Sequence, residues 1–204
     1  MGETVTSLRP HAHGFDVTAS STHSFSHVIV AVGPHRLEQV AGSLPQLAPQ
    51  LEMVRRFQYQ PIYSVFLQYP REIRLPGPMI GMREGLVQWV FDRGRLCHQP
   101  GMMGVVISAS GPHQSLPHEE LIRRTHEQLA RTFSLPVPQW SQVIAEKRAT
   151  FACVPGLQRP ENTTTLEGLF LAGDYTDSPY PATLETAVRS GLRCAQHILD
   201  LIGR

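Results

Sequence analysis

The stretch LFLAGDYTDSPYPATLETAVRSG, residues 169 to 191, sets a glycine and a carboxylate at the end of a short apolar run and then launches a long amphipathic segment. Leu169 to Ala172 predict a short buried strand, and Gly173 at its carboxyl end lets the backbone turn, or approach a ligand, with no Cβ in the way. Asp174 then projects where open α/β sheets bind ligands. Pro181 fits a helix start, and Ala182, Thr183 and Leu184 leave the first free N–H groups accessible to an electron-rich oxygen. A carboxylate at a strand end beside an open helix N-terminus has the means to hold a hydroxyl or phosphate-bearing chain and to polarise a carbonyl. The same string also reads as a plain connection whose Asp makes a local turn. Beyond Leu184, the small or apolar Ala187, Val188, Gly191, Ala195, Ile198 and Ile202 recur at helical spacing, while Glu185, Arg189 and Arg193 climb another face. A long helix packed on a sheet is predicted.

The elements that must carry this stretch are read from periodicity. TVTSL and FDVTAS flank a turn-rich RPHAHG, and HVIVAV is a β-branched run ended by Gly33 and Pro34, so residues 4 to 32 predict a hairpin feeding a buried strand. HRLEQVAGSL and QLAPQLEMVRRF predict short helices interrupted by Pro45 and Pro49. From residue 59 the strands lengthen: IYSVFLQY puts Tyr63, Val65, Leu67 and Tyr69 on one face, and LVQWVFD and MGVVISAS are mostly apolar, which predicts a second sheet. SLPHEELIRRTHEQLARTF predicts a helix with Pro117 near its first turn, Glu119 and Glu120 at the positive end of its dipole, and a stripe of Leu121, Ile122, Thr125, Leu129 and Phe133. VIAEKRATFACV predicts one more strand leading back towards GLFLAG. The expected fold class is mixed α/β, loop-rich because of its 17 prolines.

Composition narrows the partners. Eighteen basic against 17 acidic residues leave a net charge of +1, so no overall field recruits nucleic acid or an anionic membrane. Cys97, Cys153 and Cys194 lack CxxC spacing and fit reduced thiols in a cytoplasmic setting. No apolar run reaches the ~20 residues that span a bilayer. His11 and His13 fall on one side of an extended segment, but no third ligand is near and the hairpin turn explains both, so no metal is predicted. Hydrolase and kinase readings have no G-x-S-x-G, Walker loop or Cys-His nucleophile context to stand on.

LFLAGD followed by YPATLETAVRSG resembles the C-terminal flavin signature of the amine oxidase and phytoene desaturase superfamily of FAD enzymes. VQWVFDRG at 87 to 94, VISASG at 106 to 111 and EKRATFACVPGLQRP at 146 to 160 are similar to its squalene-associated branch, the hydroxysqualene dehydroxylases. The resemblance runs over roughly residues 4 to 202. It implies that Asp174 meets the ribityl-pyrophosphate part of FAD, that Gly173 permits the approach, and that the amides of Thr183 and Leu184 face the flavin pyrimidine carbonyl, where they stabilise negative charge on the reduced ring. In ETVTSL, Val5 would contact adenine through its backbone. HVIVAVGP is similar to the family segment that follows, with Gly33 where the family has a proline.

The resemblance implies hydride delivery from reduced flavin to an allylic carbon of an isoprenoid alcohol as its hydroxyl leaves, yielding squalene. Such chemistry needs an apolar tunnel, for which Trp89, Phe91, Tyr63, Phe66 and Phe151 are candidates, and a proton donor for the departing water. Asp92 and Glu146, carboxylates bordering apolar strands, are the candidate acids, with Lys147 and Arg148 as polar neighbours; surface ion pairs with Arg93 or Lys147 are their competing role. The chain has no G-x-G-x-x-G, the turn that receives the FAD pyrophosphate in the superfamily. The expectation is therefore a C-terminal fragment. Residues 1–54 would form part of a Rossmann-like FAD-binding domain, 55–154 a substrate domain with a mixed or antiparallel sheet, and 155–204 the return strand and C-terminal helix of the FAD-binding domain. Without a pyrophosphate cradle, whose charge-assisted hydrogen bonds are worth roughly 1.5–3 kcal/mol each, the piece alone is expected to bind FAD weakly or not at all and to be inactive. The substrate class implies peripheral contact with the inner face of the membrane. The competing readings are oxidation of a carotenoid precursor or an amine, and a non-catalytic piece that self-associates as a homodimer or serves a partner.

Overall fold

The computed structural model describes residues 2–203. The chain runs through β1 (Ser7–His11), β2 (Gly14–Thr18), β3 (Thr22–Phe25), β4 (Val28–Val30), α1 (Pro34–Ala41) and α2 (Ala48–Arg55). It continues through β5 (Tyr59–Gln68), β6 (Met79–Gly81), β7 (Trp89–Asp92), α3 (Arg93–Cys97), β8 (Met102–Ser108), α4 (His118–Phe133) and β9 (Trp140–Phe151), and returns through β10 (Leu169–Leu171) to α5 (Leu184–Ile202). It divides into two units, Met1–Gln58 with Phe151–Arg204, and Tyr59–Thr150. The outermost residues of the first and third expected segments, Met1 and Arg204, lie outside the described residues. No described helix is long and apolar enough to cross a membrane.

In the first unit β1, β2 and β3 form an antiparallel meander rather than a single hairpin. The turn is tighter than RPHAHG suggests, because Arg9, Pro10 and His11 pair with Asp16, Phe15 and Gly14 and only Ala12 and His13 are left to bend. Pro10 is tolerated because β1 is an edge strand. Gly14 is required: a Cβ there would sit 2.1 Å from the Phe25 carbonyl oxygen, at a φ of +140°. β4 pairs in parallel with β10, Val28 opposite Leu169 through Val30 opposite Leu171. Pro34 and Pro49 stand in the first turns of α1 and α2, and Pro45 opens a short turn of helix between them, so the prolines start elements rather than break them.

The second unit is a five-stranded sheet in the order β6-β7-β8-β5-β9, covered on one face by α4. Alternation along β5 buries Tyr63, Val65 and Leu67, which stand opposite Ile107, Val105 and Met103 of β8. Leu121 and Leu129 of α4 close that layer. β9 lies at the edge beside β5, whereas the partner of β10 is β4. β6 and α3 were not anticipated: one is three residues long, the other five, and neither is long enough to show a period.

Candidate functional site

At the end of β10 the chain leaves the sheet at Ala172 and turns through Gly173 and Asp174 before α5 begins. The space a Cβ on Gly173 would fill is taken by the ring of Tyr175, whose Cε1 lies 2.5 Å from that point. The glycine is thus demanded by a neighbouring side chain of its own turn. Tyr175 is fully buried, and its hydroxyl has no partner among the described residues. Asp174 is half-buried; burial pushes its carboxyl up, against the pull of the Arg159 guanidinium.

A buried polar network holds this turn to α5. Ser190 Oγ accepts from the Gly173 amide at 3.0 Å and lies 2.9 Å from Thr176 Oγ1, which donates to the Gly173 carbonyl at 3.0 Å. Asn162 Nδ2 donates to the Leu171 carbonyl at 2.7 Å and to Ser190 Oγ at 2.8 Å, while its Oδ1 accepts from Arg193 Nε at 2.7 Å. From the other side Arg159 donates to the carbonyls of Asp174 at 2.7 Å and Tyr180 at 2.8 Å. Buried groups satisfied this completely fix one geometry, because each alternative leaves an orphan.

α5 begins later than Pro181 suggests. Thr183 is the N-cap, its Oγ1 accepting from the Thr186 amide at 3.2 Å, and the Pro181 carbonyl accepts from Thr186 Oγ1 at 2.7 Å. The amides of Leu184 and Glu185 have no intrahelical acceptor. Leu184, 89% exposed, sets no bulk over them. The inward face of α5 is also different. The expected packing set of Ala187, Val188, Gly191, Ala195, Ile198 and Ile202 contributes only Ile198 to the cluster of Phe170, Ala172 and Cys194. Thr186, Ser190 and Cys194 are the buried residues, because each has an acceptor or donor waiting in the turn or strand, Cys194 Sγ donating to Leu171 O at 3.3 Å. Burial also raises the Cys194 thiol.

The other predicted residues scatter. Val5 is half-buried and precedes β1. Asp92 is fully buried, but its oxygens are occupied: Oδ2 accepts from the Leu75 amide at 3.0 Å, and Oδ1 caps α3 by accepting from the Arg95 amide at 3.2 Å. Its ion pair is with Arg95 at 3.6 Å, not with Arg93. Such a carboxylate organises backbone, with each oxygen already accepting one amide. Glu146 and Lys147 are exposed on β9, where Glu146 accepts from the Arg148 amide at 2.9 Å, so the burial that would make Glu146 an acid is missing. His11 Nδ1 accepts from the His13 amide at 3.2 Å, and among the described residues no His, Cys, Asp and Glu cluster could hold a metal.

The tunnel aromatics also separate. Tyr63 faces α4 in the buried layer, and Phe151 stacks on Phe57 with ring centroids 4.5 Å apart. Trp89, Phe91 and Phe66 share the opposite face of the sheet. One row across four strands reads Met79, Phe91, Gly104, Phe66, and the next Gly81, Trp89, Val106, Ser64. Arg93 borders this face, its guanidinium carbon 5.5 Å from the Phe66 ring centroid. The result is an apolar strip without a carboxylate, in which the Trp89 ring packs over Gly81 and the Arg93 side chain over Gly104.

Sequence reasoning missed Arg159, Asn162, Thr176 and Ser190. Arg159 stands in the string EKRATFACVPGLQRP, but its partners lie 15 to 21 residues downstream, beyond any local period.

The family model for flavin containing amine oxidoreductases matches residues 1–199. The hydroxysqualene dehydroxylase of Rhodopseudomonas palustris is 33% identical over 176 residues, covering 84% of this chain and 38% of that protein. The hydroxysqualene dehydroxylase of Zymomonas mobilis is 32% identical over 199 residues, covering 93% of this chain and 44% of that protein. The chain therefore spans less than half the length of these curated relatives. Among solved structures, wild-type putrescine oxidase bound to putrescine superposes with a TM-score of 0.67 at 18% identity, over 99% of this chain and 49% of that one, a likeness of fold.

Proposed function

Because the chain belongs to the flavin-containing amine oxidoreductase family, we propose that it supplies flavin contacts and a substrate surface to an FAD-dependent oxidoreductase of isoprenoids, with reductive dehydroxylation of hydroxysqualene to squalene as its reaction. The observation that carries the reading is the turn from Gly173 to Leu184: a half-buried carboxylate and a capped helix with open first amides, both fixed by buried polar groups. Bound FAD would supply hydride chemistry. This chain's own part is to hold the ring end, through the amides of Thr183 and Leu184, and the ribityl chain, through Asp174. These residues suit an electron-rich carbonyl and a hydroxyl-bearing chain. A pyrophosphate cradle is not among them, and Val5 is proposed only as a backbone neighbour of adenine. In domain terms, the unit of β4, β10 and α5 is proposed as cofactor-side and the five-stranded sheet as substrate-side.

The strip of Met79, Phe91, Phe66, Trp89 and Val106 supports an apolar chain as substrate, since a protonated amine would find no counter-charge there. Desaturation of a carotenoid precursor would use the same strip and is the nearest alternative. Peripheral membrane contact follows from that substrate class. Asp92 and Glu146 stay as the proposed proton donors to the leaving hydroxyl, with Lys147 beside Glu146; the burial of Asp92 favours it over the exposed Glu146.

Titrating FAD into the chain while recording flavin absorption tests the reading. Weak saturable binding is expected, with Asp174→Ala raising Kd about tenfold, the loss of one charge-assisted hydrogen bond. An absent or Asp174-independent signal would remove the flavin contact. In the longer protein proposed here, squalene formed from hydroxysqualene with reduced flavin is expected; turnover of polyenes such as phytoene instead would move the reaction to desaturation.

A second reading rests on the outward face of α5, where Leu184, Val188, Leu192, Leu199 and Ile202 are all exposed. A contiguous apolar stripe marks an interaction surface, and self-association of the chain through it is proposed. Light scattering would show a dimer that Leu192→Arg dissociates, or a monomer that dismisses it.

A further inference from the structure

Arg159 makes no ion pair among the described residues at contact distance, although it is half-buried, and its guanidinium is spent on backbone. Nη2 donates to Asp174 O at 2.7 Å, Nη1 to Tyr180 O at 2.8 Å and to Ser178 O at 3.4 Å, and Nε to Tyr175 O at 3.4 Å. Its carbon lies 5.7 Å from the centroid of the Phe151 ring, which gives the planar group a seat. Four carbonyls of one irregular segment thus converge on a single fork. Irregular backbone has no ladder to satisfy it, and a rigid planar donor with five N–H groups can impose one arrangement where water would permit many.

We propose that Arg159 is the positioning residue of the turn between β10 and α5, setting where Asp174 and the open end of α5 point. The neighbouring backbone agrees with this role. The Asp177 amide donates to the Pro160 carbonyl at 2.8 Å, and the Asn162 carbonyl accepts from the Leu171 amide at 2.8 Å. The short segment from Arg159 to Asn162 therefore grips the strand before the turn and the loop after it. Asn162 fixes the start of the turn, at Leu171, and Arg159 its middle and end, from Asp174 to Tyr180. Lysine cannot replace the fork: it keeps the charge but offers a compact ammonium in place of a planar, divergent donor set.

The consequence for cofactor binding rests on the flavin reading above, so the test separates the two. Hydrogen exchange is measured at the amides of Thr176, Asp177 and Tyr180, which bond to Gly173 O, Pro160 O and Ser178 Oγ, in the chain and in Arg159→Lys, each without and with FAD. The expected result is exchange about tenfold faster at these amides in Arg159→Lys, with β5 and β8 unchanged, and a Kd for FAD raised about tenfold although Asp174 is intact. Unchanged exchange at the three amides overturns the proposal whatever FAD does. Faster exchange with an unchanged Kd also overturns it, because the turn's geometry would then not matter to the ligand. Faster exchange in a chain whose wild type takes up no FAD leaves Arg159 as the residue that positions the turn and overturns the flavin reading instead. Should Arg159→Lys lower protection throughout the first unit, Arg159→Gln, which keeps a shorter planar amide over Phe151, is measured in its place, with the same two outcomes deciding.

Discussion

α4 and α5 are both long amphipathic helices, each lying against β-structure of its own unit, yet they turn opposite chemistry inward. α4 buries Leu121, Thr125 and Leu129 and shows solvent its charges, with Arg123 and Arg124 both paired to Glu120 at 2.7 and 2.5 Å. α5 buries Thr186, Ser190 and Cys194 and leaves Leu192 65% and Ile202 67% exposed. The first helix obeys the apolar-in rule because the sheet face beneath it is mostly apolar. Its polar contacts are confined to the flanks, where Tyr69 Oη meets His126 Nδ1 at 3.1 Å and Gln128 Oε1 accepts from the amides of Leu86 and Val87. The second is oriented by a turn whose amide and carbonyls need partners, and an unsatisfied buried amide costs more than an exposed leucine. Packing dominates the inward face of one helix, hydrogen-bond demand that of the other.

The largest effect that can break this contrast is a truncation on each helix. Leu121→Ala should destabilise the second unit by about 3 kcal/mol, from lost burial plus the cavity left behind. Leu192→Gln on α5 should stay within about 0.5 kcal/mol, as expected of an exposed site. Urea unfolding of both variants checks this. If the two costs are similar, the stripe on α5 is covered in solution and the contrast belongs only to the isolated chain.

A smaller effect sharpens the contrast inside the second unit, where Asp92 is a polar residue set in an apolar layer opposite Met103. Its carboxylate is spent on the amides of Leu75 and Arg95, as the polar face of α5 is spent on the turn. Asp92→Asn turns one acceptor into a donor facing a backbone N–H, and should cost about 2 kcal/mol in the same unfolding experiment. If Asp92 serves backbone alone, turnover by the oxidoreductase proposed above should be unchanged at temperatures where the variant is folded. A large loss of kcat without loss of stability would instead support Asp92 as the proton donor.

How much of this was legible in the sequence follows from the same division. The alternation of Tyr63, Val65 and Leu67 and the stripe of Leu121, Thr125 and Leu129 are periodic, and both elements lie where the periods put them. Thr22 to Phe25 gave no such signal, since all four residues of β3 are exposed and an unburied strand needs no apolar alternation. The position of Asp174 after a short strand and before a long helix was readable from Gly173, the prolines and the helical repeat. The way that turn is held was not: Arg159 and Asn162 act on groups up to 31 residues away, and their side chains look like ordinary loop polarity. Helical spacing also could not say which face of α5 points inward, because it finds an apolar stripe without asking whether the chain contains anything to cover it.

The smallest effect probes that last point most directly. Gly191 lies in the interior of α5, and a Cβ built there would meet no atom within 4 Å. With nothing to strain against, Gly191→Ala should stabilise the chain by about 0.5–1 kcal/mol, the helix-propensity difference between the two residues. A matched gain in urea unfolding at low concentration would show that this side of the helix is open. If the gain shrinks or reverses as protein concentration rises, a second copy approaches closely enough to need the glycine, and the outward stripe is an interface that happens to be empty in a single chain. A cost at every concentration would mean that α5 is packed more tightly within the chain than its neighbours allow, and the contrast with α4 would fall.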